Sequence, residues 1–125
     1  MNPSYLGFFC IKKMVDKKPN FIVIGAMKSA TTSLYTYLKQ HPDIFMTKVK
    51  EPMFFNNFNQ NTDFKVLGNK SKKVNSLLDY FSMFGSVKNE SAIGEASPVY
   101  IYNEKAPYLI KEHLPDVKII AILRQ

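Results

Sequence analysis

Phe21-Ile22-Val23-Ile24-Gly25-Ala26-Met27-Lys28-Ser29-Ala30-Thr31-Thr32-Ser33-Leu34 changes character twice. Its first four residues are apolar and largely β-branched, as in a strand buried on both faces of a parallel sheet. Gly25 ends that run. From Thr31 the spacing is helical, with Leu34, Tyr37, Leu38 and His41 at i, i+3, i+4 and i+7, and the pair His41-Pro42 stops it. A turn of small residues joins strand to helix. In such a turn backbone N–H groups converge on an anion and the helix N-terminus adds a partial positive charge. The hydroxyls of Thr31, Thr32 and Ser33 can donate further hydrogen bonds, and Lys28 supplies a full charge. The competing local reading is a turn whose Ser and Thr merely cap the helix.

The stretch is not the G-x-x-x-x-G-K-[ST] loop of nucleotide hydrolases, because Ala30 stands where that loop has Gly and Thr31 where it has Lys. A magnesium-dependent kinase therefore loses its main warrant. Outward from this unit, Leu77, Leu78, Phe81 and Phe84 are spaced as a helix ending at Gly85, after an Asn- and Lys-rich surface excursion over 56–73. A short strand is predicted over 92–95, a helix over 106–113 and a second buried strand over 117–123. Alternating strands and helices predict an α/β fold, a parallel sheet flanked by helices and built by right-handed crossovers. Residues 1–18 read as a basic lead-in and 19–125 as the domain. Little sequence follows the last strand to cover its second face, so the domain reads as truncated before it is complete, with self-association through an uncovered sheet as a consequence.

With 125 residues the chain has room for one hydrophobic core, which excludes a two-domain enzyme; 46% apolar and 14% aromatic residues exclude general disorder. The 17 Lys and Arg against 10 Asp and Glu, a net charge of +7, favour an anionic partner. One cysteine, Cys10, and two histidines, His41 and His113, point away from a disulfide framework and a structural metal. The apolar run over residues 6–11 is too short for a bilayer span and lacks a basic lead, so the reading is a cytoplasmic chain without a membrane helix.

Several motifs stand in one order: the stretch from Pro19 to Leu34, then His41-Pro42-Asp43-Ile44, Lys50-Glu51-Pro52-Met53-Phe54-Phe55, Gly94-Glu95-Ala96-Ser97-Pro98-Val99-Tyr100, and Val117-Lys118-Ile119-Ile120-Ala121-Ile122-Leu123-Arg124. In this order and rough spacing the chain resembles the N-terminal portion of the sulfotransferases that use 3'-phosphoadenosine 5'-phosphosulfate, especially their carbohydrate-type and bacterial members. The resemblance implies a P-loop-like fold and transfer of a sulfuryl group to a hydroxyl or amine of a small-molecule or carbohydrate acceptor, without a metal. It implies that Lys28, Ser29, Ala30, Thr31, Thr32 and Ser33 hold the donor's 5'-phosphosulfate, with Lys28 also neutralising charge on the leaving oxygen. Arg124 would bind the 3'-phosphate through its planar guanidinium. Glu51 would be the general base, a role that typically gains about 10²–10⁴-fold.

Each role has a plainer counterpart: a solvated Arg124 at a strand end, and a Glu51 carboxylate paired with Lys48 or Lys50. Phe54, Phe55, Phe58 and Tyr100 read as core or pocket wall, Glu95 as a residue lining the site or solvated at a strand end, and His41 as a helix terminator. Two departures from the family pattern stand out. Ala30 replaces a frequent Gly, which requires negative φ there; Ala96 replaces a Lys that some relatives carry near the transferring group. Were these residues the whole protein, weak or absent catalysis by a donor-binding fragment is the expectation. The non-enzyme alternative is an anion- or nucleic-acid-binding module using Lys12, Lys13, Lys17, Lys18, Lys48, Lys50, Lys70, Lys72 and Lys73, and it predicts steep salt dependence without preference for a 3'-phosphate.

Overall fold

The computed structural model describes residues 17–58, 74 and 76–124. Cys10, most of the 56–73 excursion, Lys12, Lys13, Lys70, Lys72, Lys73 and Gln125 lie outside the described residues. Four strands, β1 (Phe21–Gly25), β2 (Ile44–Met46), β3 (Ala92–Ala96) and β4 (Lys118–Ala121), form one sheet in the order β2-β3-β1-β4. Each described pairing is parallel. The helices are α1 (Thr31–Gln40), α2 (Phe54–Asn57), α3 (Leu77–Ser82) and α4 (Ala106–His113), with a 3-10 turn over Pro98–Tyr102. Strand β2 and the turn over Pro98–Tyr102 carry little periodicity and were not predicted; helix α4 falls where its spacing puts it.

Connections leave the sheet in opposite senses. The path β1-α1-β2 runs past β3, whereas the path from β3 through the 3-10 turn and α4 runs past β1 to β4. Right-handed crossovers in opposite senses place their helices on opposite faces. On one face Phe21, Val23, Met46 and Ala96 pack with Tyr35, Leu34 and Leu38 of α1. On the other, Ile22 and Ile24 meet the aromatic cluster of α2 and α3 and the apolar side of α4. In that cluster Phe54 stacks on Tyr80 at 4.6 Å between ring centroids and meets Phe55 edge-on at 5.0 Å. Such contacts add to simple area burial.

Local chemistry sets the ends. The Ser76 hydroxyl accepts the N–H of Asp79 at 3.1 Å and caps α3. Asn20 clasps the sheet before β1: its amide donates to Ser91, its side-chain oxygen accepts from Ile93, and its carbonyl accepts from Lys118. Gly94 faces Phe21 across the β1–β3 ladder, and a Cβ there would run into the Phe21 ring. Of the basic lead-in, Lys17 donates to the carbonyls of Gly85 and Val87 at 3.2 and 2.7 Å, and Lys18 lies over the Phe81 ring.

The second apolar run is a strand as expected, with an uncovered second face also expected, but its burial needs correction. Strand β4 pairs only with β1 among the described strands, and Ile119 is 48% exposed, because no described element covers its outer side. Among the described residues no helix is long and apolar enough to cross a membrane, and no group of three His, Cys, Asp or Glu is placed to hold a metal ion.

Candidate functional site

Residues 26–30 wind between β1 and α1 with φ of 59° at Lys28 and 64° at Ala30. Left-handed residues stand on either side of Ser29, whose N–H donates to the Ala26 carbonyl at 3.3 Å and closes a tight turn. Helix α1 begins with no side-chain cap at Ala30, so its first-turn N–H groups are not taken up by a capping side chain. Lys28, Thr32 and Ser33 are exposed, whereas Ser29 and Thr31 are buried and shape the loop. The capping reading of these hydroxyls therefore fails at the N-cap position itself. The loop end is tied to β4: the N–H of Ala26 donates to Ile122 and that of Ile122 to Gly25, each at 2.8 Å. Gly25 is required there, since a Cβ would lie 2.6 Å from Ile101 Cγ2 and 2.9 Å from the Pro98 carbonyl. Arg124, exposed, follows two residues beyond Ile122 at the same end of the sheet.

The segment after β2 reaches the loop from the other side. Tyr35 donates to the Thr47 carbonyl at 2.6 Å, fixing the end of β2 to α1. Lys50 Nζ then donates to Thr32 Oγ1 at 2.8 Å and sits 3.7 Å from Glu51 Oε1. One ammonium thus links the start of α1 to the proposed base. Glu51 is partly exposed and paired with Lys50, one of the two partners foreseen as the plainer counterpart. Glu51 and Met53 both adopt left-handed φ, 56° and 52°, in a tight turn into α2.

Beneath this turn lies a buried carboxylate. Glu95 on β3 is fully buried and accepts hydrogen bonds from Tyr80 at 2.7 Å, Ser97 at 2.9 Å and Tyr100 at 3.0 Å. Burial pushes its carboxyl up to about 7, against the opposing pull of these hydroxyls. Tyr80 and Tyr100 are raised above the usual phenol value, by burial first and then by the Glu95 charge.

No family model matches the chain. It is 37% identical to the membrane-associated sulfotransferase kil1 of Dictyostelium discoideum over 85% of its length, covering 20% of that protein. It is 32% identical to human bifunctional heparan sulfate N-deacetylase/N-sulfotransferase 3 over 90% of its length, covering 12% of that protein. The crystal structure of a sulfotransferase from Alicyclobacillus acidocaldarius superposes with a TM-score of 0.68 at 32% identity, covering 83% of this chain and 43% of the other. The chain carries the N-terminal portion of a sulfotransferase domain.

Within this sulfotransferase domain Lys28, Ser29, Ala30, Thr31, Thr32 and Ser33 form one continuous loop and helix start, and Lys50 joins them to Glu51. Arg124 stands at the sheet end that carries the loop. Two expectations are corrected. Glu95 is neither solvated nor lining an open site, because three hydroxyls satisfy it inside the aromatic core. Ala30 has positive rather than negative φ, within the tight turn between β1 and α1. Lys50 stood in the sequence as an ion-pair partner of Glu51 and as part of a lysine patch; its bond to Thr32 joins segments 18 residues apart, and no local pattern announces it.

A left-handed alanine costs roughly 1–2 kcal/mol, which glycine avoids at a smaller entropic loss. Ala30→Gly is therefore expected to stabilise the sulfotransferase domain by about 1 kcal/mol and raise the melting temperature by a few degrees. Calorimetric melting of the two chains checks it, and an unchanged or lower midpoint would contradict the strain at Ala30.

Proposed function

We propose that the chain contributes the donor loop and the general base of a sulfuryl transfer from 3'-phosphoadenosine 5'-phosphosulfate to a hydroxyl or amine, with a carbohydrate as the acceptor class suggested by the heparan sulfate relatives. The observation that carries this reading is the bridge through Lys50, which brings the uncapped start of α1 and the carboxylate of Glu51 to one place. The residues present suit such a donor. The N–H groups at the uncapped start of α1 and the charge of Lys28 suit a 5'-phosphosulfate, and Arg124 offers a planar fork for a 3'-phosphate.

The transfer is an in-line displacement at sulfur. Glu51 takes the acceptor's proton as the oxygen or nitrogen attacks, so the nucleophile does not become cationic. Lys28 and the N–H groups at the start of α1 stabilise the negative charge that develops on the departing phosphate oxygen. Lys50 keeps Glu51 within reach of that centre and adds positive charge beside it.

Calorimetric titration of 3'-phosphoadenosine 5'-phosphate into the full chain tests the donor site, with ATP and magnesium in parallel. Preferential binding of the 3'-phosphorylated nucleotide is expected, weakened about 10- to 100-fold by Lys28→Ala, the range for a hydrogen bond to a charged group. Equal affinity for ATP, or a Lys28→Ala chain that binds unchanged, would overturn the assignment. Steeply salt-dependent binding without 3'-phosphate preference would favour the nucleic-acid module instead.

A further inference from the structure

Glu95 belongs to neither the loop nor the base, yet a buried carboxylate with three hydroxyl donors is too costly a group to leave without a task. An ionised carboxylate only accepts, so Tyr80, Ser97 and Tyr100 all spend their protons on it. That fixes where two hydroxyl oxygens point their remaining lone pairs. Ser97 Oγ accepts the N–H of Met53 at 3.1 Å, and the Tyr100 hydroxyl accepts the N–H of Phe55 at 3.5 Å. Two relays, amide to hydroxyl to carboxylate, thus start on the residues just after Glu51 and end on one side chain. The turn they hold contains two left-handed non-glycine residues, Glu51 and Met53, a conformation that persists only where its surroundings impose it.

We propose that Glu95 is a positioning residue for Glu51: through Ser97 and Tyr100 its carboxylate clamps the turn over residues 51–55 and so fixes the base beside Thr32 and Lys50. This rests on the reading of Glu51 as the base and adds a residue that acts on it without touching the acceptor. The clamp responds to protonation. A protonated Glu95 presents a donor where it had an acceptor, so the hydrogen bonds to its three hydroxyls must rearrange. The groups facing Glu95 are Tyr80 from α3 and Ser97 and Tyr100 from the end of β3 and the 3-10 turn; Phe54 and Phe55 of α2 pack apolar rings on the two tyrosines. Among the described residues no Lys or Arg pairs with it. The tyrosines are both raised and stay neutral, so the switch belongs to Glu95 and lies near neutral pH.

The test is amide hydrogen exchange by NMR on the full chain from pH 5 to 9, corrected for intrinsic exchange, with the carboxyl carbon resonance of Glu51 followed in parallel. In the native chain, protection of Met53 and Phe55 should show an inflection near the Glu95 transition. In Glu95→Gln both amides should exchange roughly ten-fold faster, the inflection should vanish and the Glu51 resonance should move. Ser97→Ala should loosen Met53 and spare Phe55, and Tyr100→Phe should do the reverse. These two variants test the amide-to-hydroxyl step of each relay, and the inflection in the native chain tests Glu95 even if Glu95→Gln fails to fold. Unchanged protection, no inflection in the native chain, or a Glu51 resonance that stays in place would overturn the clamp. Failure of the donor reading shows separately, as loss of nucleotide preference in the titration above.

Discussion

Phe54→Ala is expected to lower the unfolding free energy by about 3–5 kcal/mol, a large part of the roughly 5–15 kcal/mol that holds a domain folded. Phe54 is fully buried, stacks on Tyr80 and meets Phe55 and Phe58 edge-on at 5.0 and 5.5 Å. Truncation removes the transfer energy of the ring and leaves a cavity that three neighbouring rings cannot close without leaving their own rotamers. The damage extends to the site, since Tyr80 donates to Glu95 and α2 follows directly on the turn bearing Glu51. Urea unfolding with Tyr108→Ala as control checks this: Tyr108 is 79% exposed and should change stability by no more than about 0.5 kcal/mol. Similar losses in the two variants would mean that the aromatic cluster does not hold the fold.

The Glu95 contribution to stability is expected to fall by about 3 kcal/mol as pH rises from 4.5 to 7. The sign follows from proton counting. Burial, the largest cause, raises the folded-state value to about 7 from an unfolded value of 4.5. Between these values the folded chain keeps a proton that the unfolded chain has released, so raising the pH favours unfolding. The contribution is complete below 4.5, is lost as pH climbs through the folded value, and is flat above it. Glu90, lowered by its backbone hydrogen bonds, acts in the opposite sense and loses its contribution as pH falls below 4.5. Denaturant unfolding at stepped pH, native chain against Glu95→Gln, isolates the effect as the difference between two curves. A difference without slope between pH 4.5 and 7 would show that Glu95 is not a buried acid.

Strong local patterns were readable before the structure. The β-branched run over Phe21–Gly25 announces β1, the spacing after Thr31 announces α1, and Pro42 marks where α1 has ended. Helix α4 is legible for the same reason. The uncovered second face of β4 was foreseen, but not how little of the strand is buried, because an apolar run suits a sheet interior while edge or centre depends on which neighbours are present. Strand β2 was missed because three residues carry no period. At the site, the loop from Lys28 to Ser33 was legible as a turn into α1 since its pattern lies in consecutive residues. The roles of Lys50 and Glu95 were not, because each depends on partners distant in sequence: Thr32 for the first, Tyr80 for the second. Positive φ at Ala30 was invisible for a related reason, since alanine gives no sign of a left-handed turn and only the surrounding chain imposes one.

The two faces of the sheet divide the labour. The loop over residues 26–30 runs into α1, which packs on the face of Phe21 and Val23, and the turn bearing Glu51 is rooted in the aromatic cluster on the opposite face. Between them run the strands, the Tyr35 bond to Thr47 and the Lys50 bridge. The segments bearing Lys28 and Glu51 therefore rest on separate cores, and a change in one face's packing reaches the other only through the strands and these few side-chain bonds.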